Sequence, residues 1–555
     1  MSTADMACPD RSRYMFVEYK EPAIPAQGQK RRRGGPSEVR AHITKEFHRK
    51  LRVKRLGSSS PQTTLTDRSK LARPAARHDD EIQKEPRPRT STTPTSPKPS
   101  ARPPDEDASV QVNPSPGLKN GLGEGRTDPF NALPLDQKSM YIHMVLDHAI
   151  AISWPNTVPA RSKASNPVKS AWLKCAMQWP VAFHAFTYAT TLHLLCVHRG
   201  RELVKSAPLM RLHHKVEAIK LVNEQLRNLT GPPTDALIMS VAILAIHGAY
   251  DEIVYPEIHP TSPLATAQNL HVYGNMVNEE EHLQAIILLI MQKGGLESIE
   301  LFGMADTMAL CDLYFSTKYV RRPVFSLLRS PQSLVMSGKH QLDSVAIELD
   351  SELGSGFRYF RATLAGRKLL EILDSWVEVT TALDHYARKG PTAPELVDLI
   401  EARGASQHRL LSQMPDPLEF TDPDSCVHQA ARLATLIFGD MAIFPLPPTQ
   451  SVKPRLAAML MEVLQTCDRS RCWDLHAQVL VWALTLGAIA ASFTPTRIWY
   501  VDRLKQRTSD MQITDWTALE SICSRHLWWK PVCSKPAEKL WLEIRSPKVE
   551  AQDLG

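Results

Sequence analysis

Leu209-Met210-Arg211-Leu212-His213-His214-Lys215-Val216-Glu217-Ala218-Ile219-Lys220-Leu221-Val222-Asn223-Glu224-Gln225-Leu226-Arg227, closed by Gly231-Pro232-Pro233-Thr234-Asp235, is the stretch that decides the fold. Leu212, Val216, Ile219, Val222 and Leu226 recur at spacings of three and four, the period of an amphipathic helix. Gly231-Pro232-Pro233 stops the helix, and Thr234 is placed to cap the next one from Asp235. The same texture returns near 136–152, 181–198, 279–292, 301–318, 360–388, 394–412, 425–438, 455–466, 473–493 and 515–527. Runs of β-branched residues in strict alternation are missing, and no fixed-period repeat supports a solenoid. The expected fold class is all-α, a multi-helix array or bundle over 126–545.

Working toward the N-terminus, the texture changes. Between Pro86 and Pro116 there are nine prolines in 31 residues, interleaved with Ser, Thr, Arg and Lys. Such a stretch buries too little apolar surface to offset the entropy of ordering it. Residues 57–125 therefore read as a disordered, extended linker. Within it, Thr93-Pro94 and Ser96-Pro97-Lys98 have the form of proline-directed phosphorylation sites, or are simply residues compatible with disorder. Gly121, Gly123 and Gly125 form a hinge, since no strand precedes them and their spacing is not that of a dinucleotide fingerprint.

Residues 1–56 form a basic arm. Residues 1–125 hold 24 Lys and Arg against 15 Asp and Glu, a surplus of 9; the whole chain carries +7, so the remaining 430 residues are near neutral at −2. A basic tail on a neutral body points to a polyanionic partner. Ser37 is a candidate N-cap for a short helix in which Val39, Ile43, Phe47 and Leu51 share one face. Lys30, Arg31, Arg32, Arg33, Arg40, Lys45, Arg49, Lys50, Arg52, Lys54 and Arg55 surround it, against Glu38 and Glu46 alone. These eleven side chains are the candidate site. They fit a bipartite nuclear import signal read by an import receptor, a non-specific grip on DNA by counterion release, or a solvated charge run with no partner.

The chemistry-bearing motifs are few. Cys8, Cys175, Cys196, Cys311, Cys426, Cys467, Cys472, Cys523 and Cys533 stand singly, an odd count that argues against a disulfide framework and fits a reducing compartment. Cys467, Cys472 and His476 lack a fourth ligand and match no common zinc spacing. Glu279 and His282 have a Glu-x-x-His spacing without the second motif that a di-iron bundle needs. There is no Gly-x-Ser-x-Gly elbow, P-loop or His-Glu-x-x-His. No catalytic residue, metal or cofactor is expected, and the chain reads as a non-enzyme. Met1–Asp10 is polar, and the apolar runs Val479–Ala491 and Ala236–Ile246 fall short of the ~18–20 residues of a bilayer span. They read as core helices, and the chain as soluble, intracellular and without a membrane partner.

Several phrases resemble the fungal-specific transcription factor domain, in the branch lacking an N-terminal zinc cluster. They are Phe16-Val17-Glu18-Tyr19 with Pro22; Val39-Arg40-Ala41-His42-Ile43; Gly125-Arg126-Thr127-Asp128-Pro129-Phe130-Asn131 with Leu133-Pro134; His282-Leu283 and Lys293-Gly294-Gly295-Leu296; Asp312 and Arg322-Pro323; Val481-Trp482-Ala483-Leu484 with Gly487-Ala488-Ile489-Ala490-Ala491; and Leu527-Trp528 with Leu540-Trp541. Lys293 stands where that pattern has Arg. Their order covers roughly 14–56 and 121–545, with 546–555 left as a tail. A zinc-cluster reader needs six close cysteines, and residues 1–174 hold only Cys8. The resemblance implies a nuclear transcription regulator whose body binds a partner protein or small effector. The alternative is a helical adaptor with no nucleic-acid role, docking Val39, Ile43, Phe47 and Leu51 into a partner's groove.

Overall fold

The computed structural model describes residues 140–546, apart from 163–164, 248–261, 275, 277–279, 414–422, 448–450 and 470–471. The arm, the linker, the entry phrase through Phe130, Cys8, Glu279 and the last nine residues lie outside the described residues. Described residues hold eighteen α-helices and no strand. The body is all-α.

The first half runs α1 (Met140–His148), α2 (Trp154–Thr157), α3 (Val168–Gln178), α4 (Pro180–Val197), α5 (Ala207–Arg227), α6 (Asp235–Ile246), α7 (Leu270–Tyr273), α8 (Glu280–Lys293) and α9 (Met304–Tyr319). The second runs α10 (Ser344–Glu352), α11 (Leu364–Ala387), α12 (Leu396–Ser412), α13 (Pro423–Phe438), α14 (Val452–Arg469), α15 (Cys472–Ala490), α16 (Thr496–Asp510), α17 (Trp516–Ser524) and α18 (Lys530–Arg545). Local chemistry sets many of these boundaries. The Thr234, Asp343, Thr363 and Asp515 side chains accept from the backbone N–H of Leu237, Ala346, Gly366 and Ala518, satisfying first-turn donors of α6, α10, α11 and α17. Gly294 and Gly295, at φ 109° and 100°, turn the chain out of α8 as expected of that pair.

Each half is organised around one buried helix. In the first, α4 packs on α1, α3, α5 and α6. In the second, α15 packs on α13, α14, α16, α17 and α18. Trp482 of α15 is wholly buried and donates its indole N–H to the Leu527 carbonyl at 3.0 Å. By length and composition α4 and α15 are apolar enough to cross a membrane, but 89% and 67% of them is buried inside the fold. Length alone does not distinguish a span from a core helix, and these two are the cores of the two halves.

The deciding stretch is a helix, but its apolar stripe is not its buried face. Of the stripe, Val222 is buried, while Leu212 is 57% and Ile219 38% exposed. Ala207, Arg211, His214, Ala218 and Val222 face the core instead. Two of these are polar, so a reading by hydrophobicity turns the helix the wrong way. Arg211 is kept inside by Glu202 at 2.7 Å and His214 by a 3.0 Å contact between its Nδ1 and that of His184.

Candidate functional site

All eleven basic positions of the arm, Lys30 to Arg55, lie outside the described residues. What the described residues bring together is a cavity of about 90 Å3 in the first half, lined by α2, α3, α4, α6, α7 and α9. Trp154, Trp172 and Phe186 form its aromatic wall, with ring centroids 5.2–5.9 Å apart. Trp172 donates its indole N–H to the Phe302 carbonyl at 2.9 Å, so the face it gives the cavity is apolar. Met239, Ile243, Met308 and Phe315 complete a lining that is almost wholly apolar.

A polar frame sets the shape of one side. Gln268 and Asn269, consecutive and both left-handed at φ 54° and 56°, turn the chain from a short 3-10 segment into α7. Non-glycine residues rarely hold this conformation, which costs on the order of 1–3 kcal/mol each. Buried hydrogen bonds fix it. Asn269 Nδ2 donates to the Ser153 carbonyl at 3.1 Å and to Thr157 Oγ1 at 2.9 Å. Asn269 Oδ1 lies 3.3 Å from His193 Nε2, and His193 Nδ1 lies 2.9 Å from His148 Nε2. Because the amide has already spent its donors, His193 Nε2 carries the proton toward Asn269. Its Nδ1 therefore accepts from His148. On the other flank Arg403, inside α12, donates to Gln268 Oε1 at 2.8 Å and to the Leu264 carbonyl at 3.2 Å, and stacks 5.2 Å over Phe444.

One lining group stands apart. His247 follows α6, is 6% exposed, and packs its ring against Tyr273 and Tyr188. Its Nδ1 is 2.7 Å from the Ile243 carbonyl, which can only accept. Nδ1 therefore holds the hydrogen, leaving Nε2 a bare acceptor. Burial, foremost, pushes His247 down to about 4, so the ring is neutral near pH 7. Among the described residues that line the cavity, it is the one with a side-chain polar atom, Nε2, that is fully buried and has no hydrogen-bond partner. The other polar walls are spoken for. Tyr314 donates to the Gly274 carbonyl, Thr307 to Gly303, and Tyr273 bonds Ser153 and Thr157. Burial holds the Cys311 thiol up at about 12, in its neutral form.

A second, wider cleft of about 840 Å3 lies among α9, α11, α12 and the segment 325–342. Its rim is acidic, but most carboxylates are engaged. Asp306 pairs with Arg329, Asp398 with Arg161 and Lys339, and Glu378 accepts from Ser333 and the Val335 N–H. Burial raises Asp350 and Asp374 above the ordinary carboxylate range.

Asp312, noted for its resemblance, is architectural. Its Oδ2 accepts from the Val324 and Phe325 N–H groups at 2.7 and 2.9 Å and closes the loop after Arg322-Pro323. Cys467 and Cys472 are buried, with Cys472 Sγ donating to the Pro423 carbonyl at 3.4 Å, and His476 faces Asp424 at 3.5 Å. Among the described residues no group of three or more His, Cys, Asp or Glu is disposed to hold a metal. Comparison with protein-family models, curated proteins and solved structures gives no significant match.

Sequence reading missed the cavity because its walls come from six helices far apart in the chain. His247 carried no local signal either. It is a lone histidine at the end of an apolar helix, a position that most often belongs to the core.

Proposed function

We propose that this chain is a non-catalytic nuclear regulatory protein whose helical body receives a small apolar effector and whose basic arm serves import and contact with nucleic-acid phosphates. The observation that carries the reading is the aromatic-walled cavity of the body, a concave and almost wholly apolar space. This is the form that a small-molecule receptor site takes. The arm's part rests on the eleven basic side chains of residues 30–55 and on the resemblance to zinc-cluster-free fungal transcription factor proteins. Phosphate contacts of this kind are salt-dependent and tolerant of sequence.

Gel shifts with the full chain on a random-sequence duplex, at low and at high salt, test the arm. Binding should weaken steeply with salt and vanish when Lys30–Arg33 and Arg49–Arg55 lose their positive charges to Ala. Salt-insensitive binding, or none, would leave the adaptor reading in its place. In a fluorescent fusion, the same substitutions should leave the protein cytoplasmic; unchanged nuclear accumulation would remove import from the proposal.

The adaptor reading has its own observation. Leu209, Leu212 and Ile219 stand exposed along α5, and Leu203 and Val204 just before it are exposed too. Exposed apolar side chains gathered along one helix offer a surface on which a partner protein could dock.

A further inference from the structure

We infer that the outward face of α5 docks an acidic amphipathic helix of a partner protein. The inference rests on the exposed face that favours the adaptor reading, names what that face takes, and stands independently of the cavity and the arm.

The stripe of α5 that its spacing marks as a core face points outward. Ala207, Arg211, His214, Ala218 and Val222 already fill the inward face, in a helix that packs on α4 and α6. Leu209, Leu212, Val216 and Ile219 lie on the other side, followed by Asn223. Leu209 is 74% exposed, Leu212 and Ile219 are exposed too, and Val216 is half-buried. The five positions are separated by three, four, three and four residues, so consecutive members are neighbours on one helix surface. That alternation is the seam of a coiled coil, into which a second helix inserts its own apolar side chains. Asn223 stands in the row where a polar residue fixes the register of such a pair.

The charges beside the seam choose the partner. His213, Lys220 and Arg227 follow Leu209, Val216 and Asn223 by four residues and are exposed, so they border the seam along one side. Lys215, one residue before Val216, borders the other side, with its ammonium 5.5 Å from the centre of the Tyr188 ring. The segment before the helix adds exposed Arg199, Arg201 and Lys205. Acids stand back from the seam. Glu202 is paired with the buried Arg211 at 2.7 Å, and Glu217 lies 3.5 Å from Lys220 on the flank turned away from the row. A helix with carboxylates at its flanking positions is therefore matched, and one with bases is repelled. Two copies of α5 would set these bases against one another in either orientation. A lipid surface fits less well, because α5 has no Trp, Tyr or Phe to anchor it at an interface.

Two labelled peptides of about three heptads are the probes. Both carry Leu at the seam positions; one has Glu and the other Lys at every flanking position, and like charges keep each from pairing with itself. Fluorescence anisotropy with the full chain, near neutral pH, should show the Glu peptide binding about tenfold tighter than the Lys peptide, or more. That binding should be lost in the double variant Leu209→Ser, Leu212→Ser. Both leucines are exposed, so the variant should keep its helical circular-dichroism signal. The double variant Lys220→Glu, Arg227→Glu should reverse the preference toward the Lys peptide. Glu-peptide binding that survives both pairs of substitutions would lie elsewhere, as on the basic arm, and would overturn the inference. Equal binding of the two peptides, lost with the leucines, would overturn the acidic partner and leave a docking face; binding of neither would remove the face and the adaptor reading's support with it. A native dimer in sedimentation that the leucine variant abolishes would assign the face to a second copy. Pelleting with phosphatidylserine vesicles, lost in the same variant, would assign it to a membrane, and either result overturns the inference.

Discussion

Arg403 Nη2 meets Gln268 Oε1 at 2.8 Å, so a guanidinium with no carboxylate partner among the described residues braces the residue whose left-handed backbone forms part of the cavity wall. The arrangement joins α12 of the second half to the cavity of the first. Burial lowers Arg403 to about 9, which still leaves it charged at neutral pH, and a buried charge stripped of a hydrogen-bond partner is costly. Gln268→Ala removes that partner while keeping a Cβ in the left-handed conformation. It should destabilise by about 1–3 kcal/mol. Gln268→Gly loses the same bond but relieves the backbone, and should recover roughly 1 kcal/mol of the loss. Urea unfolding of the two variants checks the order; equal midpoints would mean that the turn stores no strain.

Asn269 is the stricter case, because its amide donates twice and accepts once inside the fold. Asn269→Asp is nearly isosteric but puts an acceptor against the Ser153 carbonyl and Thr157 Oγ1. The loss should exceed that of Gln268→Ala, on the order of 3 kcal/mol or more for an uncompensated buried charge. Thermal unfolding ranks the two; an Asn269→Asp protein as stable as the native chain would show that the Asn269 network is dispensable.

Gly487 tests how tightly the second half is packed. A Cβ there would come within 2.4–2.7 Å of the Tyr500 ring, whose hydroxyl is anchored on the Ala457 carbonyl at 2.7 Å. The ring cannot step aside without giving up that bond. Gly487→Ala should cost about 1–3 kcal/mol as overpacking, against the usual gain for Gly→Ala in a helix. Gly231→Ala, with nothing within 4 Å, is the matched control and should be neutral. Denaturant midpoints settle the comparison, and a stabilised Gly487→Ala would show that α15 and α16 have room to separate.

The period of the apolar residues made most of the helices legible, because a helix with a lipophilic stripe announces itself whatever it packs against. Of the six that escaped, Trp154–Thr157, Leu270–Tyr273 and Ser344–Glu352 are short, and the other three have specific reasons. Thr496–Asp510 is largely polar, Lys530–Arg545 carries Pro531 and Pro536, and Val168–Gln178 is hemmed between Pro167 and Pro180. Which face of α5 turns inward was not legible. Arg211 and His214 are drawn into the core by Glu202 and His184, and no local pattern encodes those partners. The cavity belongs to the same category. Its walls meet only in the assembled fold, from helices far apart in the chain.

The buried histidines give the fold an acid limit. His184, His193, His247 and His526 are pushed down to about 4 and His214 to about 3, each chiefly by burial. The sign follows from the direction. In the unfolded chain these rings titrate near 6.5, while in the fold they resist protonation, so below 6.5 the unfolded chain binds more protons. Their neutral packing stabilises the fold fully above about pH 6.5, and that contribution drains away as pH falls from 6.5 toward 4. Each such ring removes at most about 1.4 kcal/mol per pH unit within the window. Several titrating together act against a total stability of roughly 5–15 kcal/mol. The helical circular-dichroism signal of the full chain should therefore collapse before pH 4 is reached. Replacing His214, which faces His184 across 3.0 Å with its Nε2 unpartnered, by Phe should move the acid midpoint lower by removing one of these protons. A helical signal unchanged down to pH 4, or an acid midpoint indifferent to His214→Phe, would show that the buried imidazoles do not set this limit.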